Sequence, residues 1–281
     1  MNVGLGLPIS DPASLLTWAR RADAGPFSTL GLLDRLVYDN PEPLITLAAL
    51  AGATTRIRLQ TEVLLAPLRE TALLGKQVAT LDRMSGGRFT LGLGVGGRQD
   101  DYVAAGTDIH RRGRRLDRQM ADLHRIWAGE SYTDDVGPIG PMPTSGRPEV
   151  LFGGFRRPAI ERVARWGDGF LGAAPAAHLG SLFRAVERCW SDAERTGRPR
   201  LVAQTNVALG PDPVVAAARS AITAYYGPGE YAEQAAAGLL TTPVQVGDAI
   251  ARFADLGADE VMLYCWSSDV DQVNRLADLT A

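Results

Sequence analysis

At 281 residues the chain has about the length of one barrel domain and can bury a large core without disulfide or metal staples. Hydrophobic residues at 46%, charged residues at 22% and a net charge of −3 give no bulk electrostatic case for nucleic acid or an acidic membrane. Two distant cysteines, Cys189 and Cys265, and three scattered histidines, His110, His124 and His178, form no CxxC or HxH pattern, which argues against a disulfide framework and a zinc site.

From the start of the chain, Val3 to Ile9 reads as a strand. Asp11-Pro12 follows as N-cap and first helical residue, with Leu15, Leu16, Ala19 and Ala22 on one helical face. Phe27 to Leu33 is a second strand, and Asp39-Asn40-Pro41 marks the entry to an apolar helix from Pro41 to Ala53. Ile57 to Leu65 is β-rich. Leu74, Val78 and Leu81 then recur at helical spacing until Gly86-Gly87 closes the helix. Arg88 to Leu93 makes a fourth strand, followed by a loop from Gly94 to about Gly113 and a helix with a stripe of Leu116, Met120, Leu123 and Trp127.

The second half repeats the rhythm. Strand Glu149 to Phe152 leads to helix Pro158 to Trp166, and strand Phe170 to Ala173 to helix Leu179 to Thr196. Strand Leu201 to Leu209 leads to a helix from Val214 to about Tyr226. Thr242-Pro243-Val244-Gln245 is a capping-box pattern, Gly257 ends that helix, and Glu260 to Tyr264 is the last strand. Eight strands alternating with helices predict an α/β chain folded as one closed (β/α)8 TIM barrel over residues 1–281. Loop insertions are expected near 94–113, 131–148 and 227–241, as binding lids or as surface excursions. Apolar stretches such as Val63 to Ala66 fall far short of a membrane span, and Met1 to Leu7 has no basic signal region. A cytoplasmic protein without a membrane segment is the expectation.

Catalytic residues of such a barrel sit just past the strand ends. There the sequence places Asp34-Arg35, Glu62 to Leu65, Gly94 to Asp101, Gly153 to Arg157 and Cys265-Trp266. Gly92 to Gly97 spells GxGxxG, but Arg98 to Asp101 and a loop intervene where a dinucleotide fingerprint needs a helix start. Gly153-Gly154-Phe155-Arg156-Arg157 runs from a strand into a helix. Exposed amides, a helix dipole and two guanidinium groups there suit a phosphate, and solvated arginines at a helix start are the other reading. His110-Arg111-Arg112-Gly113-Arg114-Arg115 lacks interleaved aromatics and enters an amphipathic helix, so it reads as a solvated helix entry and not as a nucleic-acid patch. His124 lies beside an apolar stripe and reads as structural. Tyr225, Tyr226, Tyr264 and Trp266 predict an apolar or aromatic pocket wall.

Leu64-Leu65-Ala66-Pro67-Leu68-Arg69, Gly75 to Arg88 and Leu91 to Gly96 resemble the luciferase-like flavin-dependent oxidoreductases. That family includes bacterial luciferase, alkane-type monooxygenases and F420-dependent dehydrogenases and reductases. The likeness continues through Gly153-Gly154, Asp168-Gly169-Phe170 and Gly257 to Val261. It implies a TIM barrel, a reduced flavin or deazaflavin cofactor, a small organic substrate and a homodimer. The apolar helices 41–53 and 73–84 are the faces on which the two copies would meet.

By the same resemblance Asp34 is a cofactor-contacting acid. Arg35 stands where many F420 dehydrogenases have a histidine, a departure that puts a histidine mechanism in doubt and leaves an arginine able to polarise an acceptor. Glu62, Val63 and Leu65 match the family's bulge under the ring, where a non-prolyl cis peptide between Glu62 and Val63 is expected. Glutamate is unusual there, and if buried it requires a partner such as Arg35 or a ring nitrogen. Gly94 and Gly96 with Asp100 match the loop at the ring's polar edge. Gly153, Gly154, Phe155, Arg156 and Arg157 match the phosphate loop; beside its reading as a solvated helix entry, the basic run near His110 has a secondary role open to it in holding the anionic tail of F420. The leading expectation is hydride transfer with F420, with Asp34, Arg35 and Glu62 as catalytic residues. The alternative is an FMN-dependent monooxygenase fed by a separate reductase, and a second alternative is a catalytically silent flavin-binding protein.

Overall fold

The computed structural model describes residues 1–8 and 12–280. Eight parallel strands close on themselves: β1 (Asn2–Gly6), β2 (Thr29–Leu32), β3 (Arg58–Thr61), β4 (Phe89–Gly94), β5 (Glu149–Gly153), β6 (Gly169–Gly172), β7 (Arg200–Val207) and β8 (Glu260–Cys265). Each pairs with the next, β3 meets β4 at Leu59 and Phe89, and β8 returns to β1 from Glu260 opposite Asn2 to Tyr264 opposite Gly6. The helices are α1 (Pro12–Ala24), α2 (Pro43–Ala53), α3 (Thr71–Met84), α4 (Gln99–Ala104), α5 (Arg112–Trp127), α6 (Arg157–Trp166), α7 (Ala176–Asp192), α8 (Asp212–Tyr226), α9 (Glu230–Ala237), α10 (Pro243–Asp255) and α11 (Gln272–Ala277). This is the expected (β/α)8 TIM barrel. Among the described residues no helix is long and apolar enough to cross a membrane.

Helices outside and side chains inside bury both faces of each strand, so every residue of β4 and β8 is buried. Inside the barrel, Gly4 and Gly6 carry no side chain because Met262 and Tyr264 occupy that space; a methyl at either glycine would overlap them. At the lower end Glu149 takes Arg200 at 2.6 Å, Arg58 at 3.1 Å and Thr90 at 2.7 Å, while Glu260 takes Arg200 and Ser28. These mutual partners satisfy charges that would be costly to bury alone. The predicted stripe of α5 packs inward, with Leu116, Met120, Leu123 and Trp127 at most 1% exposed. His124 lies against Trp127 and Trp166, and burial lowers its pKa, in keeping with a structural role.

Several boundaries move. Ile57 to Leu65 is not one strand: β3 stops at Thr61, the Glu62–Val63 peptide is cis, and Leu64–Leu65 pairs again with Leu93–Gly94. The cis bond is the one expected from the resemblance. Helix α2 starts later than Pro41, at Pro43, because the Glu42 carboxylate caps Ile45 N at 2.7 Å. The capping box of Thr242 and Gln245 is present as read. Ile9 and the Asp11 cap lie outside the described residues. None of the three insertions is plain loop. Segment 94–113 carries α4 and the 3-10 turn Ile109–Arg111, 131–148 carries the hairpin Ser131–Thr133 with Val136–Pro138, and 227–241 carries α9.

Candidate active site

The upper strand ends open into a cleft of roughly 780 Å³. Its floor is Glu62, Val63, Leu65, Gly94, Gly96, Gly153 and Gly154. Val63 explains two of these glycines, since a methyl at Gly94 or Gly153 would run into its side chain. Gly96 has φ +65° and Gly154 φ +149°, conformations an L side chain rarely adopts.

Asp34, just past β2 and 5% exposed, lines the cleft and accepts from Leu65 N at 2.8 Å and Arg69 Nη2 at 3.0 Å. Burial pushes its carboxyl up from the usual range, against the pull of Arg69. It thereby ties the β2 end to the floor segment. Arg35 also lines the cleft, but its nitrogens are committed: Nε to Asp101 at 2.7 Å, Nη1 to Tyr225 O at 2.5 Å and Nη2 to Val37 O at 3.2 Å. The rings of Tyr38 and Tyr225 flank its guanidinium at 5.9 and 5.5 Å. These contacts correct the expectation of a free acceptor-polarising arginine, because a guanidinium so engaged braces the wall.

Asp100 is a second correction. Its carboxylate is held by Arg98 at 2.6 Å and does not line the cleft, whereas Asp101 does, taking Arg35 and the amides of Leu36 and Val37. Gly153, Gly154, Phe155 and Arg156 border the cleft where α6 begins. Arg157 does not. It points outward, 87% exposed, to Glu161 at 2.7 Å, and Arg162 one turn on faces the cleft in its place. From the basic run His110, Arg112 and Gly113 line the same end.

A model of the luciferase-like monooxygenase family matches residues 2–260. The chain belongs to that family. An uncharacterised protein of Mycobacterium tuberculosis is 30% identical over 170 residues, 58% of this chain and 60% of the relative's length. An FMNH2-dependent dimethylsulfone monooxygenase of Pseudomonas fluorescens is 31% identical over 130 residues, 43% of this chain and 35% of that protein. The chain thus spans less than two thirds of these curated relatives. Among solved structures, an F420-dependent secondary alcohol dehydrogenase in complex with an F420–acetone adduct superposes with a TM-score of 0.81 at 17% identity, covering 99% of this chain and 97% of that one. That likeness is one of fold.

In this luciferase-like barrel one wall of the cleft is aromatic and reaches the segment 153–157, where the Tyr231 and Phe155 ring centroids are 6.1 Å apart. Tyr225, Tyr226 and Tyr231 line the cleft, while Tyr264 and Trp266 stand behind them, with Tyr225 and Trp266 centroids 5.6 Å apart. Burial raises the hydroxyl pKa of Tyr225 and Tyr226, which keeps them neutral. Sequence reasoning missed Tyr231, Arg162 and Gln204, and it had Arg98 and Asp101 inside the Gly94 to Asp101 segment without a role of their own. Arg162 had a readable signal, an arginine on the turn after the glycine-arginine loop; Gln204 is an inward residue of β7, and Tyr231 depends on the phase of the short helix α9.

Glu62 is 3% exposed. Gln60 donates to its Oε1 at 2.8 Å, and its Oε2 has no partner. Gln60 thus fills the place expected of Arg35.

Proposed function

We propose that this luciferase-like protein is an oxidoreductase working with a reduced flavin-type cofactor, F420 in preference to FMN, in hydride transfer to or from a small organic substrate. The observation that carries this reading is a glycine-lined floor joined to an arginine-lined end. A flat ring needs a floor without projecting side chains, and Gly94, Gly96, Gly153 and Gly154 line the cleft with none of their own, the space beside them being taken by Val63, Leu65 and Ala159. The amides at the start of α6 with Arg156 would hold a phosphate. Among the described residues Arg112 and Arg156 have no carboxylate partner, which suits a tail carrying further negative charge and so favours F420 over FMN.

A bound reduced ring supplies the hydride equivalent. The chain's own part is to place and shelter it. Asp34 with Arg69 anchors the floor segment, Arg35 with Asp101 braces the wall, and Tyr225, Tyr226 and Tyr231 present an apolar surface that excludes water beside the reacting carbon. The second reading, an FMN-dependent monooxygenase fed by a separate reductase, draws its support from the Pseudomonas fluorescens relative.

Titrating the protein with F420 and with FMN separates the two. F420 is expected to bind more tightly, and Arg112→Ala with Arg156→Ala to weaken F420 by about tenfold while changing FMN less. Tight FMN binding with no affinity for F420 would overturn the preference.

A further inference from the structure

The Glu62 side chain is an oddity of this floor. Its surroundings are Gln60 on β3, Gly31 on β2, Glu260 and Tyr264 on β8, Arg200 on β7 and Tyr226 on α8. Arg200, the one cation in this set, is bound to Glu149 and Glu260 at the lower end. Burial therefore pushes the Glu62 carboxyl up to about 8, while the Gln60 hydrogen bond pulls the other way. One oxygen is satisfied by the Gln60 amide and the other, Oε2, is sealed from water without a partner. A buried polar group left this way costs about 1–3 kcal/mol, so its retention calls for an explanation.

Room for the group is built in. A methyl at Gly31 would overlap the Glu62 carboxyl, so β2 gives up a side chain at the point where the acid sits. Glu62 also borders the cleft beside Leu33, Val63 and Gln204.

We propose that Glu62 serves the cleft as an un-ionised carboxylic acid, turning its free oxygen to donate a hydrogen bond to an acceptor atom of the flat-ringed ligand seated on the glycine floor. The class of ligand rests on the reading given under Proposed function; the donor role rests on the unpartnered oxygen and its cavity. A ring nitrogen or carbonyl provides the missing acceptor, and binding then requires the proton that Glu62 holds below about pH 8. Glutamine keeps the shape and a donor but has no proton to lose.

The test is the affinity of FMN and of F420, measured by fluorescence titration, for the wild type and for Glu62→Gln from about pH 6.5 to about pH 9.5. The better-bound ligand is expected to weaken roughly thirtyfold across that range in the wild type beyond any change in the variant, since a ligand's own titration appears in both proteins. Below about pH 7 the two affinities are expected to agree within about threefold. Parallel pH profiles would overturn the donor role while leaving the cofactor reading intact. No binding of either ligand by the folded wild type would overturn both. Infrared spectroscopy of the ligand-free protein gives an independent check: a protonated-carboxyl stretch at neutral pH that Glu62→Gln removes is expected. Absence of that band in the wild type would refute the neutral acid.

Discussion

Gly31 and Glu62 share one space, so changes at the two positions are coupled. Gly31→Ala is expected to destabilise the fold by about 1–3 kcal/mol through overpacking, and much of the loss should return when Glu62→Ala is added, as a thermal-melt double-mutant cycle would show. The same carboxyl sets a pH dependence. Its folded pKa, about 8, exceeds the unfolded value of 4.5, so between these values the folded state binds the extra proton. Stability from this group is therefore highest below about pH 4.5 and falls as pH rises toward 8. The melting temperature of Glu62→Gln should decline less over that window than that of the wild type. At the neighbouring pair, Arg69→Ala leaves the Asp34 carboxylate buried without its cation. A loss of about 3 kcal/mol is expected in chemical denaturation, reduced when Asp34→Asn accompanies it.

Among the elements, α9 hangs from α8 by Gly227-Pro228-Gly229 and carries Tyr231 over the cleft. Gly227 has φ +78°, and Arg98, which donates to Tyr226 O at 3.0 Å, fills the space a side chain would need. Gly227→Ala is expected to dislodge Arg98 and loosen α9, seen as faster amide exchange across residues 230–237 with little change in β1 to β8. The eight βα units were legible because most strands carry a short apolar run between turn residues, as Phe89 to Leu93 and Val261 to Tyr264 do, and the long helices repeat an apolar stripe, as α5 does. Helices α4, α9 and α11 have six or eight residues, too few for a period to register against the background, and α11 had no reading at all. The site shows the same divide. Asp34 and Gly153 follow directly from where strands were read to end, whereas Glu62 lay inside the stretch read as Ile57 to Leu65 and its role came from the resemblance. The contrast between Asp100 and Asp101, or Arg157 and Arg162, depends on the rotation of a helix that the spacing did not fix. The break at Glu62–Val63 was expected from the likeness of its flanking residues to a family, not from any local pattern.

For the whole molecule, Ile45, Leu73 and Met84 are 70%, 57% and 58% exposed on α2 and α3, which pack side by side. We propose that a second copy of the chain covers them. Sedimentation at micromolar concentration should then give a dimer, and Ile45→Glu with Leu73→Glu a monomer that keeps its melting temperature within a few degrees; a monomeric wild type would count against it.

The return of β8 to β1 carries a consequence for synthesis. Asn2 and its neighbour across the ladder, Glu260, belong to the barrel strands made first and last. Until β8 emerges, a growing chain presents two raw margins, one along β1 and one along β7, each a row of amides and carbonyls ready to pair with any other strand. Ladder closure between such distant residues is slow to form and costly in chain entropy. A chain stopped before Glu260 should therefore self-associate instead of folding, and the barrel's vulnerable interval is the time between translating residue 207 and translating residue 265.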